Sequence, residues 1–156
     1  MNLDRIDQKI IRLLEGNSRL SFAELADQVG LSKTPCWKRV KAMEDAGVIR
    51  GYSLLVDPAR MGFGLEAFIQ VTISPESYAA FEAAVVRHPL IRRCHATTGE
   101  DDYLLQIIAV DMAELDVLLR EEINRLPGVR RTVTSMITRE IKTATRLADA
   151  LARVSG

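Results

Sequence analysis

Two short stretches of this chain carry the residue types that could bind something, and their charges are opposite. Lys33 to Lys41 holds Lys33, Lys38, Arg39 and Lys41 with no acid among them, beside Ser32, Thr34 and Trp37. Ammonium and guanidinium groups neutralise phosphate, and polar groups on the first turns of a helix can reach phosphate oxygens or base edges. Gly99-Glu100-Asp101-Asp102-Tyr103 sets three consecutive acids beside a glycine. Carboxylates and backbone N–H groups in one loop suit an amino acid, whose ammonium and carboxylate need opposite partners. Each stretch also has a plainer explanation. Charges on an outward helix face are commonly solvated surface, and Gly and Asp are ordinary turn formers.

For the basic stretch to contact anything in register, a helix must carry it and other helices must hold that helix. Leu3, Ile6, Ile10, Leu13 and Leu14 recur at helical spacing and stop at Gly16-Asn17. Ser21 and Glu24 form a Ser-x-x-Glu capping box, which opens a second helix with Phe22, Leu25, Ala26 and Val29 inward and Gly30 as its stop. Ser32 is placed to cap a third helix running to about Ala46, with Pro35 in its first turn. On it Cys36, Val40 and Met43 face inward at i, i+4 and i+7. That turns Thr34, Trp37, Lys38 and Lys41 outward, with Lys33 and Arg39 on the flanks. Val48 to Arg50 and Tyr52 to Val56, hinged at Gly51, predict a β-hairpin wing. The expectation is a winged helix-turn-helix over 1–57, its helix-turn-helix at about 22–41, followed by a linker over 58–64.

Residues 65–144 repeat a strand–helix–strand pattern. Leu65, Ala67, Ile69, Val71 and Ile73 alternate with polar neighbours; Tyr78, Phe81 and Val85 share a helix face; Leu90 to Thr98 is a second strand. Tyr103 to Val110 is apolar enough for a central strand buried on both faces. Asp111 and Glu114 cap a helix lined by Leu115, Leu118, Leu119, Ile123 and Leu126, and Val129 to Ile141 is a long last strand. The order βαββαβ is ferredoxin-like, making the fold class α+β. An apolar outer sheet face would need cover from another protomer. The tail, 145–156, spaces Leu147, Leu151 and Val154 as a short docking helix would.

Composition narrows the classes. The chain has 156 residues and zero formal net charge, so a nucleic-acid site must be a local patch. Cys36 and Cys94 make neither a disulfide framework nor a C-x-x-C motif. Adjacent Cys94 and His95 would point to opposite faces of a strand, so neither a metal nor a cofactor is expected. The start, MNLDRIDQK, lacks an apolar targeting core, and no apolar run is long enough to span a bilayer, so the expectation is a cytoplasmic chain with no membrane partner.

LSFAELADQVGLSKTPCWKRVKAMEDAGVIRGY resembles the DNA-binding module of the leucine-responsive/asparagine regulator (Lrp/AsnC) family, and LDRIDQKIIRLL resembles that family's first helix. TGEDDYLL and NRLPGVRRTVTSMITREIK resemble its effector-binding domain, so the resemblance covers nearly the whole chain. Its specificity lies in the combination S-x-T-P-C-x-x-R-V, then G-x-I-x-G-Y, then G-x-x-D-Y at a hairpin. It implies a non-enzymatic regulator of amino-acid metabolism or transport, with a winged helix-turn-helix and a RAM-type βαββαβ domain. The implied partners are double-stranded DNA, a small amino-acid effector at an inter-subunit site, and further copies forming a homodimer that assembles to a tetramer or octamer. Ser32, Lys33, Thr34, Trp37, Lys38, Arg39 and Lys41 are then the DNA-binding candidates, with Lys33, Thr34 and Lys38 on bases and Arg39 and Lys41 on phosphate. Trp37 stands where other members often carry a different side chain. Gly99, Asp102 and Tyr103 match the family's effector loop, Asp101 lies within it, and Glu100 replaces the usual Asp. Thr132 and Thr134, on one face of the last strand, are further lining candidates should that face meet another protomer. Two alternatives stay open: an amino-acid sensor acting through protein contacts, and a ferredoxin-like enzyme using Cys94 or His95 with Asp101 or Asp102. The second lacks any phosphate loop, nucleophile elbow or zinc-binding helix motif to support it.

Overall fold

The computed structural model describes residues 2–142 and 146–151. They form two compact units, one from the residues up to Leu55 together with those from Ile141 on, the other Val56–Glu140.

In the first unit α1 (Arg5–Gly16), α2 (Phe22–Val29) and α3 (Lys33–Asp45) close over Ile10, Leu25, Val29, Cys36, Val40 and Met43, the inward residues that helical spacing selects. Burial pushes the Cys36 thiol pKa up, so this cysteine is packing rather than chemistry. α2 opens on its capping box: Ser21 Oγ accepts the Glu24 N–H at 3.2 Å, and Glu24 Oε2 accepts the Ser21 N–H at 2.8 Å. It ends at Gly30, whose φ of +74° is the left-handed turn that glycine adopts without a Cβ penalty. α1 opens on a second capping box, unforeseen from sequence and built from Asp4 and Asp7.

Two expectations fail here. Ser32 stands at the N-cap of α3 but makes no side-chain cap bond. An N-cap hydroxyl accepts from the second or third helical N–H, and the third residue is Pro35, which has none. The hairpin wing is also absent: Val48 to Val56 contains no paired strand. Leu54 and Leu55 are 85% and 93% exposed, so no apolar contact holds the two arms together. A lone two-stranded hairpin is marginal without such a contact.

The second unit is a four-stranded antiparallel sheet in the order β2-β3-β1-β4, from β1 (Leu65–Ile73), β2 (Ile91–Ala96), β3 (Tyr103–Ala109) and β4 (Val129–Met136). Helices α4 (Tyr78–Arg87) and α5 (Met112–Val117) follow β1 and β3, giving the ferredoxin-like order. α5 starts at Asp111, which accepts the Glu114 N–H at 2.9 Å, and runs on through a π turn, Leu118–Glu122. Ala67, Ile69 and Val71 of β1 meet Leu105 and Ile107 of β3, with Phe81, Leu115, Leu118 and Ile123 over them. β3 is less evenly buried than its apolar run suggests. Leu105 and Ile107 are sealed, while Leu104 and Gln106 on the opposite face are half-buried. β4 stops at Met136 rather than Ile141, with one further bond from the Ile137 N–H to Glu66 O. The expected linker holds a 3-10 turn, Ala59–Met61.

The tail belongs with the first unit. Its short α6 (Leu147–Ala150) docks on α1, where the Glu15 carboxylate accepts the Leu147 and Ala148 N–H groups at 2.9 Å each. Val154 lies outside the described residues.

Candidate nucleic-acid interface and ligand pocket

The buried seam of Cys36, Val40 and Met43 fixes which side of α3 faces out. Lys33, Thr34, Trp37 and Lys38 are exposed on it, and Trp37 keeps 46% of its surface open. Lys33 and Lys38 carry no ion pair among the described residues. With Pro35 withholding an N–H, the Ser32 hydroxyl and the first N–H groups of α3 sit together at the positive end of the helix dipole, a setting that favours an anion. The other two cations are already engaged. Lys41 Nζ lies 2.7 Å from Asp45 Oδ1 one turn on, an exposed pair of small energetic weight. Arg39 points at α1, its Nη1 at 2.7 Å from Asp4 Oδ2 and 2.8 Å from Asp7 Oδ1. Backbone N–H groups, Asp7's foremost, together with Arg39 hold the Asp4 carboxyl below its ordinary range, and the two carboxylates hold the Arg39 guanidinium above its own. Sequence placed Arg39 on the DNA backbone; in the folded chain its guanidinium faces the start of α1. At the far end of α3, the Tyr52 hydroxyl donates to Glu44 Oε1 at 3.0 Å.

The acidic hairpin tip divides in the same way. Asp102 Oδ2 accepts the Ile73 N–H at 2.8 Å and Oδ1 accepts the Tyr78 hydroxyl at 3.1 Å, a bond that pushes the Tyr78 pKa up. Asp101 Oδ1 accepts from Thr72 Oγ1 at 2.8 Å, with Arg131 Nη1 at 3.7 Å. These bonds tie the loop to β1 and to the start of α4. Glu100 remains exposed at the tip beside Gly99, whose φ of +143° is a conformation that favours glycine. Thr98, Gly99 and Glu100 donate no backbone hydrogen bond among the described residues.

An open pocket of about 350 Å³ lies against this tip, bordered by Thr97 to Asp101, Tyr103, and Gln70 and Leu104 from the sheet. Gln70 and Leu104 face each other across the β1–β3 ladder on the side away from the helices. Sequence had not singled them out, although both fall on the outer parity of their strands. Tyr103 borders the pocket, yet its ring turns into the core, 4.7 Å from Phe81, and its hydroxyl donates to Glu82 Oε1 at 2.7 Å. Burial first, and then Glu82, push its pKa well above the ordinary tyrosine range, so it stays a donor.

Thr132 and Thr134 are elsewhere. They pair across the ladder with Val71 and Ile69, whose side chains face the helices, and Thr132 Oγ1 reaches Asn124 Oδ1 at 3.0 Å. The outward face of β4 belongs to Arg131, Val133 and Ser135, opposite Thr72, Gln70 and Phe68. Cys94 packs on the core, burial raising its thiol pKa, and His95 lies on the opposite side; among the described residues neither shares a hydrogen bond or ion pair with Asp101 or Asp102, the partners that the enzyme alternative requires.

Residues 66–147 match the model of the Lrp/AsnC ligand-binding domain, and residues 3–50 match a winged helix-turn-helix DNA-binding model. The chain belongs to the Lrp/AsnC family. It is 40% identical over 149 residues to the leucine-responsive regulatory protein of Salmonella typhimurium, covering 94% of this chain and 91% of that one. The Escherichia coli counterpart is 39% identical over the same length and coverage. Among solved structures, a Neisseria meningitidis transcriptional regulator in complex with L-methionine superposes with a TM-score of 0.89 at 38% identity, covering 93% of this chain and 96% of that one. AsnC from Escherichia coli superposes at 0.87 with 26% identity, covering 93% and 98%. This Lrp/AsnC chain is therefore a DNA-binding transcription regulator with an amino-acid effector domain. No helix among its described residues is long and apolar enough to cross a membrane.

Proposed function

We propose that this regulator acts in the cytoplasm, reads duplex DNA with α3 and senses a small L-amino acid at the Gly99–Tyr103 tip. It thereby controls genes of amino-acid metabolism or transport. One observation carries the DNA half: the inward side of α3 is sealed by Cys36, Val40 and Met43, while Lys33, Thr34, Trp37 and Lys38 stand outward. Lys33, Thr34 and Lys38 reach base edges, Ser32 and the first N–H groups of α3 take a phosphate, Lys41 lies over the backbone, and Trp37 packs on sugar or a thymine methyl. In the effector half, Glu100 pairs with the ammonium and the N–H groups of Thr98, Gly99 and Glu100 take the carboxylate. Leu104 then gives an apolar side chain its contact. Among the relatives named above, two are leucine-responsive by name and one is bound to methionine, which supports an apolar amino acid of that size.

The unit of function is a homodimer that assembles to a tetramer or octamer through the second unit, with the pocket completed between subunits. Pairing sets two reading helices on half-sites about one helical turn apart. An effector shifts the assembly only if it binds one form more tightly than another. A thermal-shift screen of the twenty amino acids tests the sensor, since a ligand of the folded state alone raises its melting temperature. Sedimentation with and without each hit tests the coupling to assembly. A chain that melts identically with all twenty and sediments unchanged is not an amino-acid sensor of this kind.

A further inference from the structure

We propose that Arg39 is a positioning residue and not a DNA ligand: with Asp4 and Asp7 it forms a clasp that fixes how the reading helix is turned against α1. This rests on the proposal that α3 reads DNA. The apolar seam under α3 is narrow, with Cys36, Val40 and Met43 as its buried residues. Apolar contact is non-directional, so such a seam holds a helix down more firmly than it fixes its rotation. Arg39 follows Lys38 in sequence and lies between the seam and the outward face. Its Nη1 touches both carboxylates, at 2.7 and 2.8 Å.

Those carboxylates are themselves anchored. Asp4 Oδ1 accepts the Ile6 and Asp7 N–H groups at 2.8 Å each, and Asp7 Oδ2 accepts the Asp4 N–H at 3.1 Å. The clasp therefore grows out of the N-cap of α1 and inherits the rigidity of that helix start. Asp7 is only 6% exposed in its side chain, so withdrawing the guanidinium to a phosphate would leave a nearly sealed carboxylate without its counter-charge. Two acids, Asp4 and Asp7, thereby become requirements for DNA recognition, against the simple rule that acids near a DNA-binding surface weaken binding.

The test uses the full chain, a duplex that the wild type selects from a random-sequence pool, and an unrelated duplex of the same length. Affinities for both are measured across a salt series, at a temperature where circular dichroism shows each variant folded. The clasp predicts that Arg39→Lys and Asp7→Asn lose preference for the selected duplex by about tenfold, the size of one lost base contact. Their non-specific affinity and salt slope stay at wild-type values. Arg39→Lys keeps the charge, but its shorter side chain does not bring an ammonium to the place where Nη1 meets both carboxylates, and Asp7→Asn even removes a negative charge. Lys41→Ala, at the lysine placed over the DNA backbone, is the control: it weakens both duplexes and lowers the salt slope by about 0.9. The proposal is overturned if Arg39→Lys and Asp7→Asn keep full preference, or if Arg39→Ala lowers the salt slope as Lys41→Ala does. It is also overturned if both affinities of the folded variants fall equally, the mark of a lost general contact rather than of a misturned reading helix. A wild type that selects no sequence and binds without salt dependence instead removes the DNA-reading proposal itself.

Discussion

The basic face of α3 and the acidic tip before β3 differ in sign and share a logic. In each, some of the charges that stand out in sequence are held inside the fold, and the remainder are left for a ligand. On α3 the held group is Arg39, by Asp4 and Asp7, while Lys33 and Lys38 stay unpaired among the described residues. At the tip the held groups are Asp101 and Asp102, by Thr72, Ile73 and Tyr78, while Glu100 stays exposed. The regions differ in what the held groups fix. The α3 clasp joins two helices, whereas the tip bonds fasten a loop to the strand and helix beside it. A charge thus reports the sign of a candidate partner, and its hydrogen bonds report whether it is free to meet one.

The largest effect that could break this division is at the tip. Asp102→Ala strands the buried Ile73 N–H and should cost about 1–3 kcal/mol of stability. Glu100→Ala should stay within about 0.5 kcal/mol and change only ligand affinity. Denaturant melts of the two variants check this, and equal losses would erase the distinction between held and free acids.

A smaller contrast sharpens the α3 side. Ser21→Ala removes a formed cap and should cost about 1 kcal/mol, while Ser32→Ala, with no cap bond to lose, should cost no more than about 0.5 kcal/mol. In gel shifts the order should reverse, with Ser32→Ala the more damaging. The smallest effect is on pH. Asp4 is held below its ordinary 3.8, first by the Asp7 N–H and next by Arg39. A depressed carboxyl contributes stability above its unfolded value and loses it as pH falls through the folded one. Acid titration should therefore weaken the first unit below about pH 3.8, and Asp4→Asn should flatten that loss. An unchanged acid limb in Asp4→Asn would place the acid sensitivity elsewhere.

Much of the frame was legible because its causes lie within a few residues of one another. Three helices in the first unit, the Ser21–Glu24 box, the Gly30 turn and the βαββαβ order follow from apolar periodicity, capping pairs and glycine. The Ser32 cap was misjudged although one cause is local: Pro35 removes one of the two N–H groups that the hydroxyl could take. The wing was overread because Tyr52, Leu54 and Val56 alternate as strand residues do, and a strand exists only if a partner pairs with it. Alternation also showed that Thr132 and Thr134 share a face. It could not show that β1 turns that face toward the helices.

Sequence alone determined the family pattern, the order of elements, the positions of most helix ends and the sign of each candidate site. All of these rest on interactions spanning about four residues or fewer, or on the short period of a helix or strand. The tertiary structure decided which charges are free, which face of the sheet the pocket lies on, and that the tail docks on α1. Arg39 meets Asp7 across 32 positions, Thr72 meets Asp101 across 29, and Glu15 meets Ala148 across 133. Pairs that distant are set by how the helices and strands pack, and no local spacing records them.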